Sequence, residues 1–152
     1  MRRWLVWCGL VTLLAISGSA GARAAVTPTE NVDEPARNPY QQTITSKAVC
    51  STCNFIFNKV PAGKRLRVTN VSCWFALNSN AGVELTSIRD STRTGAIFYM
   101  PAILQGNGLS AIINSDISLV IDAGKSPVIT MVTDFNFATT SICTVSGYMI
   151  SL

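Results

Sequence analysis

Cys50-Ser51-Thr52-Cys53 is the first place in this chain where spacing alone could carry chemistry. A C-x-x-C pair can cycle between dithiol and disulfide when a helix N-terminus lowers the pKa of one thiol. Here the pair runs instead into an alternating stretch, Phe55 and Phe57 against Asn54 and Asn58, which reads as a strand. A four-thiolate zinc site would show a second close pair, whereas Cys73 and Cys143 stand alone. No metal site and no cofactor is expected, and the cysteines read as structural disulfides.

Acid–base chemistry finds little material. The chain has no histidine, which excludes Ser-His-Asp and Cys-His arrangements and imidazole metal sites. A carboxylate pair could still work as acid and nucleophile. Beyond the N-terminal region the carboxylates are Glu84, Asp90, Asp116, Asp122 and Asp134. Asp90, Asp116 and Asp122 sit beside turn-like residues, where Asp commonly bonds its own backbone, and their spacing matches no calcium loop. The expectation is a protein that is not an enzyme.

Two groups of residues are candidates for binding. Lys59, Lys64, Arg65 and Arg67 cluster around the turn Pro61-Ala62-Gly63, either as an anion-contacting patch or as a solvated hairpin face that protects a strand edge. Trp74 lies in a strand-like run where Val71, Cys73, Phe75 and Leu77 share one phase. That phase places Trp74 outward with Ser72 and Ala76, where an indole is a stacking platform for a sugar or protein. An internal echo argues the other way. Val60-Pro61-Ala62-Gly63-Lys64 and the following Trp74 recur at an offset of 61 as Ile121-Asp122-Ala123-Gly124-Lys125 and Phe135, and Phe135 keeps phase with Phe137 as core would. Burial of Trp74 is the preferred expectation of the two.

The elements that must position these residues begin after a leader. Arg2 and Arg3 precede an apolar run of 13 residues, Trp4 to Ile16, and Ala22-Arg23-Ala24 supplies an A-x-A cut site. A membrane-spanning helix needs roughly 20 residues, so Met1–Ala24 reads as a cleaved signal helix and the protein as exported to a bacterial periplasm or beyond. Its removal changes the charge argument. The full chain has 12 Lys+Arg against 8 Asp+Glu, net +4, and losing Arg2, Arg3 and Arg23 leaves 9 against 8. The apparent basicity departs with the leader, and with it the case for nucleic acid as a partner. Four cysteines and one tryptophan, Trp74, remain.

Residues 25–40 hold Pro28, Pro35 and Pro39, with Glu30, Asp33 and Glu34, and no hydrophobic period; they read as a flexible strap. From residue 41 to 152 the text is short β-branched and aromatic runs separated by turn residues, among them Asn80-Ala81-Gly82, Gly106-Asn107-Gly108 and Ser146-Gly147. No clean helical stripe interrupts them. Eight or nine short strands in one domain predict an all-β fold, a single jelly-roll-like β-sandwich. If Pro61–Lys64 closes a hairpin, a bulge between Val68 and Val71 sets Cys53 opposite Cys73, leaving Cys50 to reach Cys143. The rival pairing joins Cys50 to Cys53 and Cys73 to Cys143.

These features predict a non-catalytic exported sandwich that binds a glycan, an envelope component or a protein, with Trp74, Lys59, Lys64, Arg65 and Arg67 as candidate contacts. The alternative is an assembly subunit that offers Val145–Leu152 as an edge strand to a neighbour; a cryptic enzyme or inhibitor is a second alternative.

Overall fold

A computed structural model describes residues 38–77, 82–106 and 108–152, without side chains at 48–49 and 135–139. The leader and nearly all of the strap lie outside these residues, as do residues 78–81, with Asn80 and Ala81 of an expected turn, and the side chains of Phe135 and Phe137. Seven strands occur among the described residues: β1 (Pro39–Ile56), β2 (Lys64–Ala76), β3 (Val83–Asp90), β4 (Phe98–Tyr99), β5 (Ile103–Gln105), β6 (Ser110–Ile121) and β7 (Pro127–Ser151). All pairings are antiparallel.

Two of these strands each serve both layers of a sandwich. The first part of β1, Pro39 to Cys50, pairs with Phe137–Tyr148 of β7, and after a register slip its remainder, Thr52 to Ile56, pairs with Val128–Val132. The later half of β7 also pairs with β2, and β2 with β6, which pairs with β5. The earlier half of β7 pairs with β3, and β3 with β4. The result is a β-sandwich of a five-stranded sheet (β1–β7–β2–β6–β5) and a four-stranded sheet (β4–β3–β7–β1). Nine strand segments arise from seven continuous strands because β1 and β7 bend from one layer into the other.

The alternation read from the sequence decides which side chains enter the core. Leu66, Val68, Val71, Phe75, Ile113 and Val145 are buried on the inner face of the larger sheet, and Phe55, Ile88, Ile129 and Met131 on that of the smaller. Phe55 and Phe75 meet across the layers with ring centroids 5.8 Å apart. The expected bulge in β2 is present, between Val68 and Asn70.

Other expectations are corrected. The residues Pro61–Lys64 form a turn, with Lys64 N–H donating to the Pro61 carbonyl at 3.2 Å and Gly63 at φ 70°, but the turn does not close a β1–β2 hairpin. It carries the chain from the small sheet to the large one, where β2 lies between β6 and β7. The disulfides follow that topology: Cys50 joins Cys53, and Cys73 joins Cys143, its direct cross-strand partner. The expected pairs Cys53–Cys73 and Cys50–Cys143 are therefore replaced by the rival set. Residues three apart on a regular strand are separated by about 10 Å, yet the Cα atoms of Cys50 and Cys53 are 5.6 Å apart. The slip where β1 changes sheets folds the chain there and brings the two thiols together.

Ser146-Gly147, read as turn residues, lies instead within β7 opposite Val68. A Cβ at Gly147 would collide with the Arg67 carbonyl, so this glycine permits a close approach of two backbones at the β2 bulge. The apolar run Ile97–Leu104 is divided between β4 and β5 by Met100-Pro101-Ala102. Val145–Leu152 is not an edge: β1 flanks it on one side as far as Tyr148 and β2 on the other as far as Ser151.

The echo has a structural counterpart in its turns. Lys125 N–H donates to the Asp122 carbonyl at 3.2 Å and Gly124 has φ 76°, the same geometry as the first copy. Positive φ at the third residue is the type II requirement, and glycine meets it without strain. The two copies then diverge, since β2 enters the large sheet and β7 begins in the small one.

Candidate functional site

Trp74 projects from the outer face of the five-stranded sheet and is 40% exposed, which corrects the expectation that it enters the core. Strand alternation requires this, because Cys73 and Phe75 on either side are buried. Its cross-strand partners are Ile142 on β7 and Ile112 on β6, and Ile112 in turn pairs with Ile103 on β5. Directly paired residues share a face, so the four form an apolar row perpendicular to the strands, spanning about 15 Å at the usual strand spacing. Ile142 and Ile103 are exposed and Ile112 is half-buried.

Uncharged polar side chains dominate the two neighbouring rows. On one side lie Thr43, Thr144, Ser72 and Asn114; on the other lie Thr140, Ala76 and Ser110, with Lys47 at the β1 edge. The hydroxyls of Thr43 and Thr144 are 2.8 Å apart. One row further, the Asn70 amide nitrogen donates to Asn114 Oδ1 at 3.2 Å and to Asp116 Oδ1 at 3.0 Å. The register of the strands is what assembles this face. The sequence marked Trp74, but nothing in it aligned Ile142, Ile112 and Ile103, which come from three separate runs.

The basic residues occupy the far end of the same sheet. Arg67 lies seven residues before Trp74, about 20 Å away along a strand, and donates to Ser118 Oγ at 3.2 Å. Arg65 is paired with Asp122 at 2.8 Å, and Lys64 donates to Ser151 Oγ at 3.3 Å. Lys59 is exposed in the segment between β1 and β2. The structure thus does not gather Trp74 and the four cations into one concavity.

Asp90, set aside in the sequence as a turn residue, is the centre of a different arrangement. Its buried carboxylate accepts from Lys125 Nζ at 2.8 Å and from the Thr92 amide and hydroxyl at 2.9 and 2.7 Å. The Lys125 ammonium foremost, with the Thr92 donors, holds this carboxyl below its ordinary pKa against the opposing effect of burial, and the lysine is raised in return. Gly95 packs so close that a Cβ there would strike the carboxylate. The Thr92 and Gly95 contacts shape the loop after β3, while the Lys125 pair and the Ser126 amide, which donates to Ser91 Oγ at 3.1 Å, fasten that loop to the turn before β7, so the group acts as a clamp.

A cleft of about 410 Å³ lies elsewhere, between Val83–Thr86 of β3 and Tyr99–Ala102. The Thr86 hydroxyl donates to the Met100 carbonyl beside it, and the Met100 amide donates to the Thr86 carbonyl at 2.9 Å. Glu84 is its one carboxylate among the lining residues, and Tyr99 brings a phenol.

No family model matches the chain, and no curated protein matches it. Among solved structures, the chain is similar to the core of Drosophila NLP, a structure described for pentamer formation and histone binding. The identity is 10% and the TM-score 0.33, over 73% of this chain and 98% of that one. A likeness at that level carries no argument about function.

Proposed function

We propose that this protein is an exported, non-catalytic binding protein that lays the outer face of its five-stranded sheet against a neutral glycan. The observation that supports this best is the exposed indole of Trp74, set in the middle of the Ile142–Trp74–Ile112–Ile103 row. An indole offers a broad apolar face that stacks on the C–H face of a sugar ring. The hydroxyls of Ser72 and Thr144 and the amide of Asn114, one residue pair away on the same face, offer the donors and acceptors that ring hydroxyls require.

Shape and charge favour an extended polymer over a small molecule. Small ligands select concave clefts, whereas the Trp74 row lies across an open sheet. The near balance of 9 basic and 8 acidic residues after the leader supports a neutral ligand over a polyanion. The leader and the paired cysteines support delivery to an oxidising compartment, where envelope and extracellular glycans are found.

The test is a thermal-shift screen of the exported protein against neutral and acidic polysaccharides. The expected outcome is a rise in melting temperature with at least one neutral polymer that Trp74→Ala abolishes. A shift confined to polyanions, or one that survives in Trp74→Ala, would contradict the proposal.

A further inference from the structure

On the four-stranded sheet, Ile88, Ile129 and Phe55 pair across β3, β7 and β1 and face the core. Strand alternation turns the rows on either side outward. One is Arg89–Val128–Ile56 and the other Ser87–Thr130–Asn54. Members of both rows and of the loop after β3 line a pocket of about 150 Å³. Val128 is buried although it lies on the outer face, so it forms the floor. Arg89, Arg93, Asn54 and Ser91 supply the polar lining, with Asp90.

The hydrogen-bonding character of this lining is one-sided. Asp90 is its one carboxylate, and both oxygens are engaged, Oδ1 by the Thr92 amide and hydroxyl and Oδ2 by Lys125 Nζ. Lys125 also balances that charge, so the charges of Arg89 and Arg93 are left over. Neither guanidinium has a hydrogen bond or an ion pair among the described residues. Asn54 Oδ1 accepts from the Thr130 hydroxyl at 2.8 Å, which leaves the amide NH2 to donate. Ser91 Oγ accepts from the Ser126 amide at 3.1 Å, which leaves its own O–H to donate. Arg93 also has φ 62°, the one non-glycine residue with positive φ among those described. That conformation costs energy in a residue with a Cβ, and such residues cluster at ligand clamps.

We infer that this pocket binds a tetrahedral oxyanion of the phosphate or sulfate type. Charge selects the ligand. A carboxylate carries one negative charge and is satisfied by a single guanidinium fork, so it would leave the second arginine uncompensated. A phosphate monoester carries about −1.5 to −2 at neutral pH on three acceptor oxygens, which suits two guanidiniums with neutral donors beside them. Size agrees, because sites for drug-sized ligands run to roughly 300–1,000 Å³ and this one takes a single small group. The pocket lies on the other sheet from Trp74, and the inference does not rest on the glycan reading.

Calorimetric titration of the disulfide-bonded protein at neutral pH and matched ionic strength tests this, with sodium sulfate, phosphate, glycerol 3-phosphate and acetate as probes. The expected result is saturable binding of sulfate and of phosphate, free or as the monoester, and no binding of acetate. Tighter binding of the monoester would assign the site to an organic phosphate seated against Ile56; equal or weaker binding would assign it to the free ion. Arg89→Gln and Arg93→Gly should each weaken binding about tenfold or more, as loss of a charge-assisted bond implies. Glycine adopts positive φ without strain, so Arg93→Gly should melt no lower than the parent in the absence of anion. Arg67→Gln, which removes an exposed cation from the five-stranded sheet, should bind as the parent does. The inference is overturned if no tetrahedral anion binds saturably, if acetate binds as tightly, or if either pocket variant keeps the parent affinity. A loss in Arg67→Gln equal to that in the pocket variants overturns it too.

Discussion

Asp90 gathers three hydrogen bonds on one buried carboxylate, and its partner Lys125 comes from the turn 35 residues away. A carboxyl whose folded pKa lies below its unfolded value stabilises the fold above the unfolded value, about 4. That contribution is lost as pH falls through the folded pKa. Asp90→Asn keeps the shape and removes the charge. It should cost roughly 2–3 kcal/mol at neutral pH, the range for charge-assisted bonds. Urea midpoints should show the parent and the variant starting to converge as pH drops below about 4 and meeting once pH has passed the lower folded pKa, where the parent carries a neutral carboxyl too. Gly147 makes a second residue-scale claim. Gly147→Ala forces β2 and β7 apart at the bulge and should destabilise by about 3 kcal/mol, read as a lowered melting temperature. Much of this scale was legible in the sequence, and the reason is local. The role of Asp90 as a turn residue follows from the Ser91-Thr92 that succeeds it, and the burial of Phe55, Phe57, Val71 and Phe75 follows from period-2 alternation. Trp74 shows how the reading fails. Its own strand phase placed it outward, and a weaker signal, the echo with Phe135, overrode that phase although the two copies enter different sheets.

At the scale of elements, local pattern stops being enough. The sequence shows strand-like runs at 128–132 and 141–152, but not that one continuous strand of 25 residues joins them and serves two layers. The hairpin assumed at Pro61–Lys64 was reasonable from turn chemistry, since the turn itself forms. What the turn connects depends on where β6 and β7 arrive, and those contacts are long-range. Both disulfide assignments inherited that error. Peptide mapping without reduction should recover Cys50 linked to Cys53 and Cys73 linked to Cys143. In the chain-entropy model the Cys73–Cys143 bridge, with 70 residues of separation, contributes about 4 kcal/mol, and the short Cys50–Cys53 bridge about 2 kcal/mol. Replacing Cys73 and Cys143 together by Ala should therefore lower the denaturant midpoint more than replacing Cys50 and Cys53. Equal effects would place the main contribution of the short bridge in shaping the bend of β1.

For the whole molecule, the all-β class and the sandwich follow from the frequency of turns and the lack of helical periodicity, as expected from the sequence. The proposed binding face was only half visible. Its tryptophan stood out by type, while the isoleucines beside it became neighbours through register alone, and the basic cluster expected to join it lies at the other end of the sheet. Because Trp74 is only partly buried, Trp74→Ala should cost no more than about 1–2 kcal/mol, so any loss of binding in that variant is separable from unfolding. Leader removal, as read from Met1–Ala24, leaves Trp74 as the single tryptophan, and its fluorescence then reports on the face directly. The decisive measurement is acrylamide quenching of that fluorescence with and without a neutral polysaccharide that raises the melting temperature. The account predicts that Trp74 is readily quenched in the free protein and becomes protected as the polysaccharide is added. Saturating thermal stabilisation with no change in quenching would contradict it.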